Sequence, residues 1–153
     1  MTTSSAPSDL FKMTHDFSPS GEMLEHFAKT LIITCGADGE ISEPEWAALT
    51  ALGQGYGLGP EALVALRGWD YRGARLEDFA PALKDARVAR GIVYEAVRLA
   101  SADAYHEKER AAVGQLAGLL EVDAGTVRAI EALVETEAGL RRTRLALLYP
   151  HRQ

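Results

Sequence analysis

The segment LIITCGADGEISEPE, residues 31–45, carries an apolar run into an Ala-Asp pair and then into an acidic loop. A second segment, AVRLASADAYHEKE at residues 96–109, has the same order of features, with a loop one residue shorter. Repetition of this kind decides the fold class of a chain, because each copy must adopt a similar local structure. The two segments therefore predict two copies of one helix–acidic loop–helix unit.

The alignment continues without a further gap beyond these loops. WAALTALGQGYGLGPEALVAL, residues 46–66, lies over RAAVGQLAGLLEVDAGTVRAI, residues 110–130. Apolar positions match in size along both segments, and acidic positions keep their places around the loop. We therefore predict an internal duplication, with repeat units at about 23–66 and 88–130.

Apolar residues recur at helical spacing before the first loop, and no segment alternates with the period of a strand. This buried stripe comprises Met23, Leu24, Phe27, Ala28, Leu31, Ile32 and Cys35. Ser18 and Pro19 are typical of a helix start, and the helix should run to about Gly36. The prediction is an all-α, single-domain helical bundle of about seven helices over residues 18–149, preceded by a flexible arm at 1–17.

Helix-boundary signals agree with the duplication. Ser42 and Glu45 have the spacing of a capping box, while Gly57 and Gly59 end that helix and Pro60 starts a short one. A Gly-containing break at 69–75 precedes a further short helix at about 76–84. The second copy predicts helices from Val88 to Ala102, from Glu107 to Leu120, and from a cap near Asp123 to about Leu148.

The composition sets bounds on function. The chain has 153 residues, 47% of them apolar and 25% charged, which is typical of a globular protein. Its formal charge of −6 argues against nucleic-acid binding, which needs a basic surface. One cysteine, Cys35, excludes an internal disulfide and a cysteine-based zinc site. We expect a cytoplasmic protein that does not span a membrane.

Four carboxylates recur at the two loops and are the candidate metal ligands: Asp38, Glu45, Asp103 and Glu109. An Asp at a helix C-terminus opposes the helix dipole, and oxygen ligands of this kind suit divalent cations. Capping alone also explains Glu45 and Glu109, and an Asx turn explains Asp38 and Asp103. Both readings stay open from the sequence.

Asp38 to Glu45 also fits the second half of an EF-hand loop, but the earlier ligand positions would be Thr34 and Gly36, so that motif is excluded.

Other polar residues have a structural and a functional interpretation. His106 could be a metal ligand or a pH-sensitive group, but its alignment with Ser42 favours a helix cap or solvent exposure. Arg141, Arg142 and Arg144 favour a solvated helix end over docking to an acidic partner or an anionic membrane. No serine, cysteine or lysine has a recognisable catalytic context, so we do not expect an enzyme.

The apolar helix ending in ADGEIS–x–x–E, the second ending in SAD before E–K–E–R, and the LAGLLEVD stretch resemble the TerB-like family. The resemblance covers about residues 23–135. It implies an all-α duplicated domain with acidic residues near both loops, linked to resistance to tellurite and other stresses and to phage defence. The matching acidic positions are Asp38, Glu45, Asp103 and Glu109. Ala104 departs from the glycine that usually follows the second Asp.

The functional expectation is a module associated with stress and tellurite resistance that binds a divalent cation or a protein partner through its acidic loops. The alternative is a ligand-free protein–protein interaction scaffold in a stress or phage-defence complex. The resemblance implies protein partners and leaves peripheral membrane association open.

Overall fold

The computed structural model describes residues 22–84, 86–102 and 105–152, and these residues form six α-helices. The helices are α1 (Glu22–Cys35), α2 (Glu43–Gly55), α3 (Pro60–Arg67), α4 (Ala86–Ala100), α5 (Glu107–Leu119) and α6 (Ala124–Leu148). Short 3-10 helices span Leu76–Asp78, Ala80–Leu83 and Pro150–Arg152. No strand occurs among the described residues, so the all-α prediction is confirmed. The predicted arm at 1–17 and the helix start at Ser18 lie outside them.

The helices follow one another as two sets of three, α1–α3 and α4–α6. The first helix of each set, α1 and α4, pack against each other, and α4 also packs on α5 and α6. The stripe predicted for α1 forms part of the core, where Phe27, Leu31 and Cys35 are buried against Ile92, Val93 and other residues of α4. The loops that follow α1 and α4 therefore lie at the junction of the two sets.

The second helix of each set ends with the same hydrogen-bond pattern. The N–H of Leu58 donates to the carbonyl of Gly53 at 2.8 Å, and the N–H of Val122 donates to the carbonyl of Ala117 at 2.8 Å. The residue before each donor has a left-handed backbone, Gly57 with φ 94° and Glu121 with φ 59°. Both ends are Schellman-type caps. The sequence alignment pairs these same positions, so the duplication extends to backbone geometry.

Helix α6 is the longest of the described helices, and among the described residues its second half is mostly exposed, apart from the hydrogen bonds between Tyr94 and Glu137. Val134 is its buried residue, and the helix is almost entirely exposed beyond it. Among the described residues, no helix combines the length and the apolar character that crossing a membrane would require.

We expect Gly57→Ala to lower the free energy of unfolding by about 1 kcal/mol, because a Cβ disfavours the left-handed backbone at this position. Gly114→Ala, in the exposed middle of α5, should raise it by up to about 1 kcal/mol. A Cβ would meet nothing within 4 Å at either glycine. Urea denaturation of both variants measures the difference. Equal effects of the same sign would show that the α2 cap does not depend on Gly57.

Candidate functional site

The first acidic loop turns sharply after α1. Its turn is an Asx turn, in which the N–H of Glu40 donates to Asp38 Oδ1 at 3.1 Å. Gly39 adopts φ 100°, a backbone that glycine favours, and its carbonyl accepts from the Tyr71 hydroxyl at 3.3 Å. The Asx turn considered from the sequence is thus present, and it uses one carboxylate oxygen of exposed Asp38.

Glu45 anchors the start of α2 through the predicted capping box, which is confirmed. The N–H of Glu45 donates to Ser42 Oγ at 3.2 Å, and the N–H of Ser42 donates to Glu45 Oε1 at 3.1 Å. The Ser42 hydroxyl also lies 2.8 Å from Oε1. Glu45 is only 4% exposed, and its other oxygen, Oε2, has no hydrogen-bond partner among the described residues. The capping box therefore explains the hydrogen bonds of Glu45 Oε1 and leaves Oε2 unexplained.

The second acidic loop has the same backbone at its helix start but different side-chain bonding. His106 is the N-cap of α5, with φ −72° and ψ 159° against −68° and 160° at Ser42. Its side chain makes no capping hydrogen bond. Glu109, in the position that Glu45 has in α2, is 1% exposed. Its oxygens make no hydrogen bond of good geometry among the described residues, although the backbone N–H of His106 lies near enough to lower its pKa, so the cap at Glu109 is weaker than the cap at Glu45.

The two loops converge on these side chains. Asp38, His106 and Glu109 each offer a ligand atom, and these three atoms lie within 4.8 Å of one another. Glu45 lies next to Glu109 and contributes to its electrostatic environment. A hydrogen bond between these two carboxyls requires a proton on one of them, because an ionised carboxylate only accepts.

Burial, the negative charge of Glu45, a hydrogen bond with the Glu45 carboxyl and the charge of Asp38 together raise the pKa of Glu109 to about 8, and the backbone N–H of His106 lowers it by less. Two carboxylates that share a small buried volume cannot both ionise cheaply. The Glu45–Glu109 pair therefore holds one proton at neutral pH when nothing else neutralises it.

Cys35 and Arg110 border the cluster without neutralising it. Burial raises the pKa of the Cys35 thiol, and the nearby charges of Glu45 and Glu109 raise it further, so the thiol stays protonated. The Arg110 guanidinium is engaged elsewhere, 3.3 Å from Glu131 and over the ring of Tyr105. A cation bound between the loops would supply the positive charge that these neighbours do not.

The candidate ligands predicted from the sequence divide into three that the structure brings together and one it does not describe. Asp38, Glu45 and Glu109 meet at the junction of the two helix sets, whereas Asp103 lies outside the described residues. His106 joins the cluster, although its alignment with Ser42 favoured a cap. A histidine where the other copy has a serine was the available signal, because an imidazole is a poorer cap and a good metal ligand.

The pair predicts a pH dependence of stability in metal-free protein. Because the folded-state pKa of Glu109 lies above its ordinary value of 4.5, its contribution to stability is fully present below about 4.5 and is lost as the pH rises through about 8. With a chelator present, the melting temperature should fall over this range, and Glu109→Gln should abolish the part due to the pair. Glu107→Gln, exposed in the same helical turn, is the matched control. An unchanged pH profile in Glu109→Gln would contradict the shared proton.

The fold is similar to that of a solved relative. The crystal structure of a tellurite resistance protein from Nostoc punctiforme PCC 73102 matches this chain with a TM-score of 0.78 and 26% sequence identity, covering 96% of this chain and 94% of that one. No family model matches the chain, and no curated protein matches it. The resemblance to the TerB-like family that the sequence shows is thereby confirmed, since this chain has a fold similar to that of a tellurite resistance protein.

Proposed function

We propose that this chain binds a divalent cation between its two acidic loops, as a module associated with tellurite resistance and stress. The observation that carries the proposal is the buried Glu109 carboxylate, which makes no hydrogen bond of good geometry among the described residues and lies beside Glu45, Asp38 and His106. Acidic residues on a surface are common without an ion. A buried carboxylate that lacks a donor is not, because its desolvation must be offset.

Two species can offset this cost: a proton or a metal ion. A proton neutralises one carboxyl of the Glu45–Glu109 pair and leaves the other to accept its hydrogen bond. A divalent cation would displace that proton and neutralise both, with Asp38 adding a third negative charge at the solvent side. Metal ligands must be deprotonated, so affinity should rise as the pH increases toward 8.

The ligand set indicates which class of ion is preferred. Carboxylate oxygens alone suit Ca²⁺ and Mg²⁺, whereas an imidazole nitrogen suits first-row transition ions such as Mn²⁺ and Zn²⁺ better. His106 supplies that nitrogen, and its side chain is not used as a cap. We therefore propose a transition ion as the preferred cation.

The physiological setting is proposed from the solved relative and the composition. The Nostoc punctiforme protein is described as a tellurite resistance protein, and we propose a related stress role here, exercised through protein partners. A cytoplasmic location would suit the single buried thiol of Cys35, which needs no oxidising compartment.

Calorimetric titration of metal-free protein tests the cation directly. We expect saturable binding of Mn²⁺ or Zn²⁺ at pH 8, and a loss of about tenfold or more in affinity in Asp38→Asn and in Glu109→Gln, each of which removes one charged ligand. Glu107→Gln removes the same charge two residues from Glu109, outside the cluster, and should bind as the wild type does. Equal affinities in all four proteins would place any bound ion elsewhere.

His106→Asn tests the class of ion. Asparagine can cap α5 and offers an oxygen in place of the imidazole nitrogen. We expect the preference for Mn²⁺ or Zn²⁺ over Mg²⁺ and Ca²⁺ to shrink, while binding of Mg²⁺ changes little. The relative affinities follow from competition titrations. An undiminished preference would mean that His106 does not ligate the ion.

The alternative function is a ligand-free interaction scaffold, and the capping box at Ser42 and Glu45 favours it, because that part of the cluster has a purely structural use. In this case no divalent cation would change the melting temperature of the wild type. Asp38→Asn, which can keep the Asx turn through its amide oxygen, would then change stability by an amount that is independent of any ion.

A further inference from the structure

Helix α6 carries exposed leucines along its length from Leu133 onward. Three of them recur every seven residues: Leu133, Leu140 and Leu147, with exposed fractions of 50%, 62% and 76%. Seven residues make nearly two helical turns, so these side chains form one stripe along the helix. The stripe is about 21 Å long. Large exposed apolar side chains grouped on one face mark an interaction surface.

The residue before each leucine of the stripe is small. Ala132, Gly139 and Ala146 occupy these positions. They lie along one flank of the stripe, where the absence of long side chains lets another helix approach closely. The opposite flank is charged and carries Glu137 and Arg144, also seven residues apart.

Glu137 is held in place from within the chain. The Tyr94 hydroxyl, on α4, lies 2.9 Å from Glu137 Oε1 and 3.0 Å from Oε2. The carboxylate is thus held at the edge of the stripe. Arg144 is exposed two helical turns further along.

We propose that the leucine stripe of α6 docks onto the same stripe of a second copy of this chain, with the two helices antiparallel about a twofold axis near Leu140. Leu133 then lies opposite Leu147 of the partner subunit. Glu137 lies next to Arg144 of the partner subunit, and Arg144 next to the partner's Glu137. The surface is self-complementary, as a twofold interface requires.

The order of charges favours a second copy over a membrane surface. A helix that lies on an anionic membrane carries basic residues along its polar face. Here the residues nearest the stripe on its charged side are one acid and one base, Glu137 and Arg144, with Arg141 further round the helix, and the other flank is small. Antiparallel pairing brings the two charged flanks to the same side of the interface and matches each acid with a base, whereas parallel pairing in register would place each charged flank against the partner's small flank and leave the acids and bases unmatched.

The oligomeric state of the full chain tests the proposal. We expect sedimentation equilibrium to show a concentration-dependent dimer, and Leu140→Glu to weaken it by about tenfold or more by placing two buried charges at the axis. Leu145→Glu is the matched control, because Leu145 is an exposed leucine of the same helix off the stripe. Circular dichroism checks that both variants keep their helices.

A charge reversal tests the pairing itself. Arg144→Glu alone should weaken the dimer by setting it against the partner's Glu137, and the double variant Glu137→Arg/Arg144→Glu should restore it. Tyr94→Phe controls for the loss of the Tyr94 hydrogen bond and should leave the dimer intact. If Glu137 had only a structural role within its own chain, the double variant would not restore the dimer.

Cysteine cross-linking fixes the register. Leu140→Cys on the axis should form a disulfide between two copies under mild oxidation, and Leu147→Cys should do so only when mixed with Leu133→Cys. Disulfides between two copies of Leu147→Cys would overturn the antiparallel register. A wild-type chain that is monomeric at roughly 1 mM, where even a weak complex is populated, overturns the dimer. A chain that stays monomeric and binds vesicles rich in phosphatidylserine would likewise overturn the dimer, because the stripe would then be a membrane-binding surface.

Discussion

The contact between the buried carboxyls of Glu45 and Glu109 is the constraint on which the site depends. Each glutamate lies in the first turn of the second helix of its set. The packing of α1 against α4 brings these two first turns together. Two carboxylates at such a junction oppose folding unless a proton or a cation neutralises them. The same helix packing that makes the core therefore also makes a site that responds to pH and to metal ions.

The two copies of the unit have diverged where this matters most. Ser42 caps α2 and occupies one oxygen of Glu45, whereas His106 takes the same backbone conformation without a side-chain cap. Glu109 is left with both oxygens facing the cluster. One copy thus stabilises its own helix, and the other contributes a nitrogen and a carboxylate to the space between the loops. A duplicated fold can divide structural and binding roles in this way.

Helical periodicity and cap signals predicted the all-α fold, the capping box and the bounds of α6 closely, because these depend on local sequence. The contact between Glu45 and Glu109 depends on how α1 and α4 pack against each other. A local sequence pattern does not predict that packing. Their equivalence in the alignment was still informative, since equivalent residues near a pseudo-twofold junction can meet. His106 was assigned to a cap because its position, but not its side-chain chemistry, matched that of Ser42.

The account rests on a cation that binds between the two loops and replaces a shared proton. Anomalous diffraction from crystals grown with Mn²⁺ tests this most directly, because manganese scattering locates the ion without reference to affinity. The account predicts a peak at about 2.0–2.3 Å from a Glu109 oxygen and a His106 ring nitrogen. A Glu45–Glu109 pair still joined by a proton, with no manganese peak between the loops at saturating Mn²⁺, would contradict it.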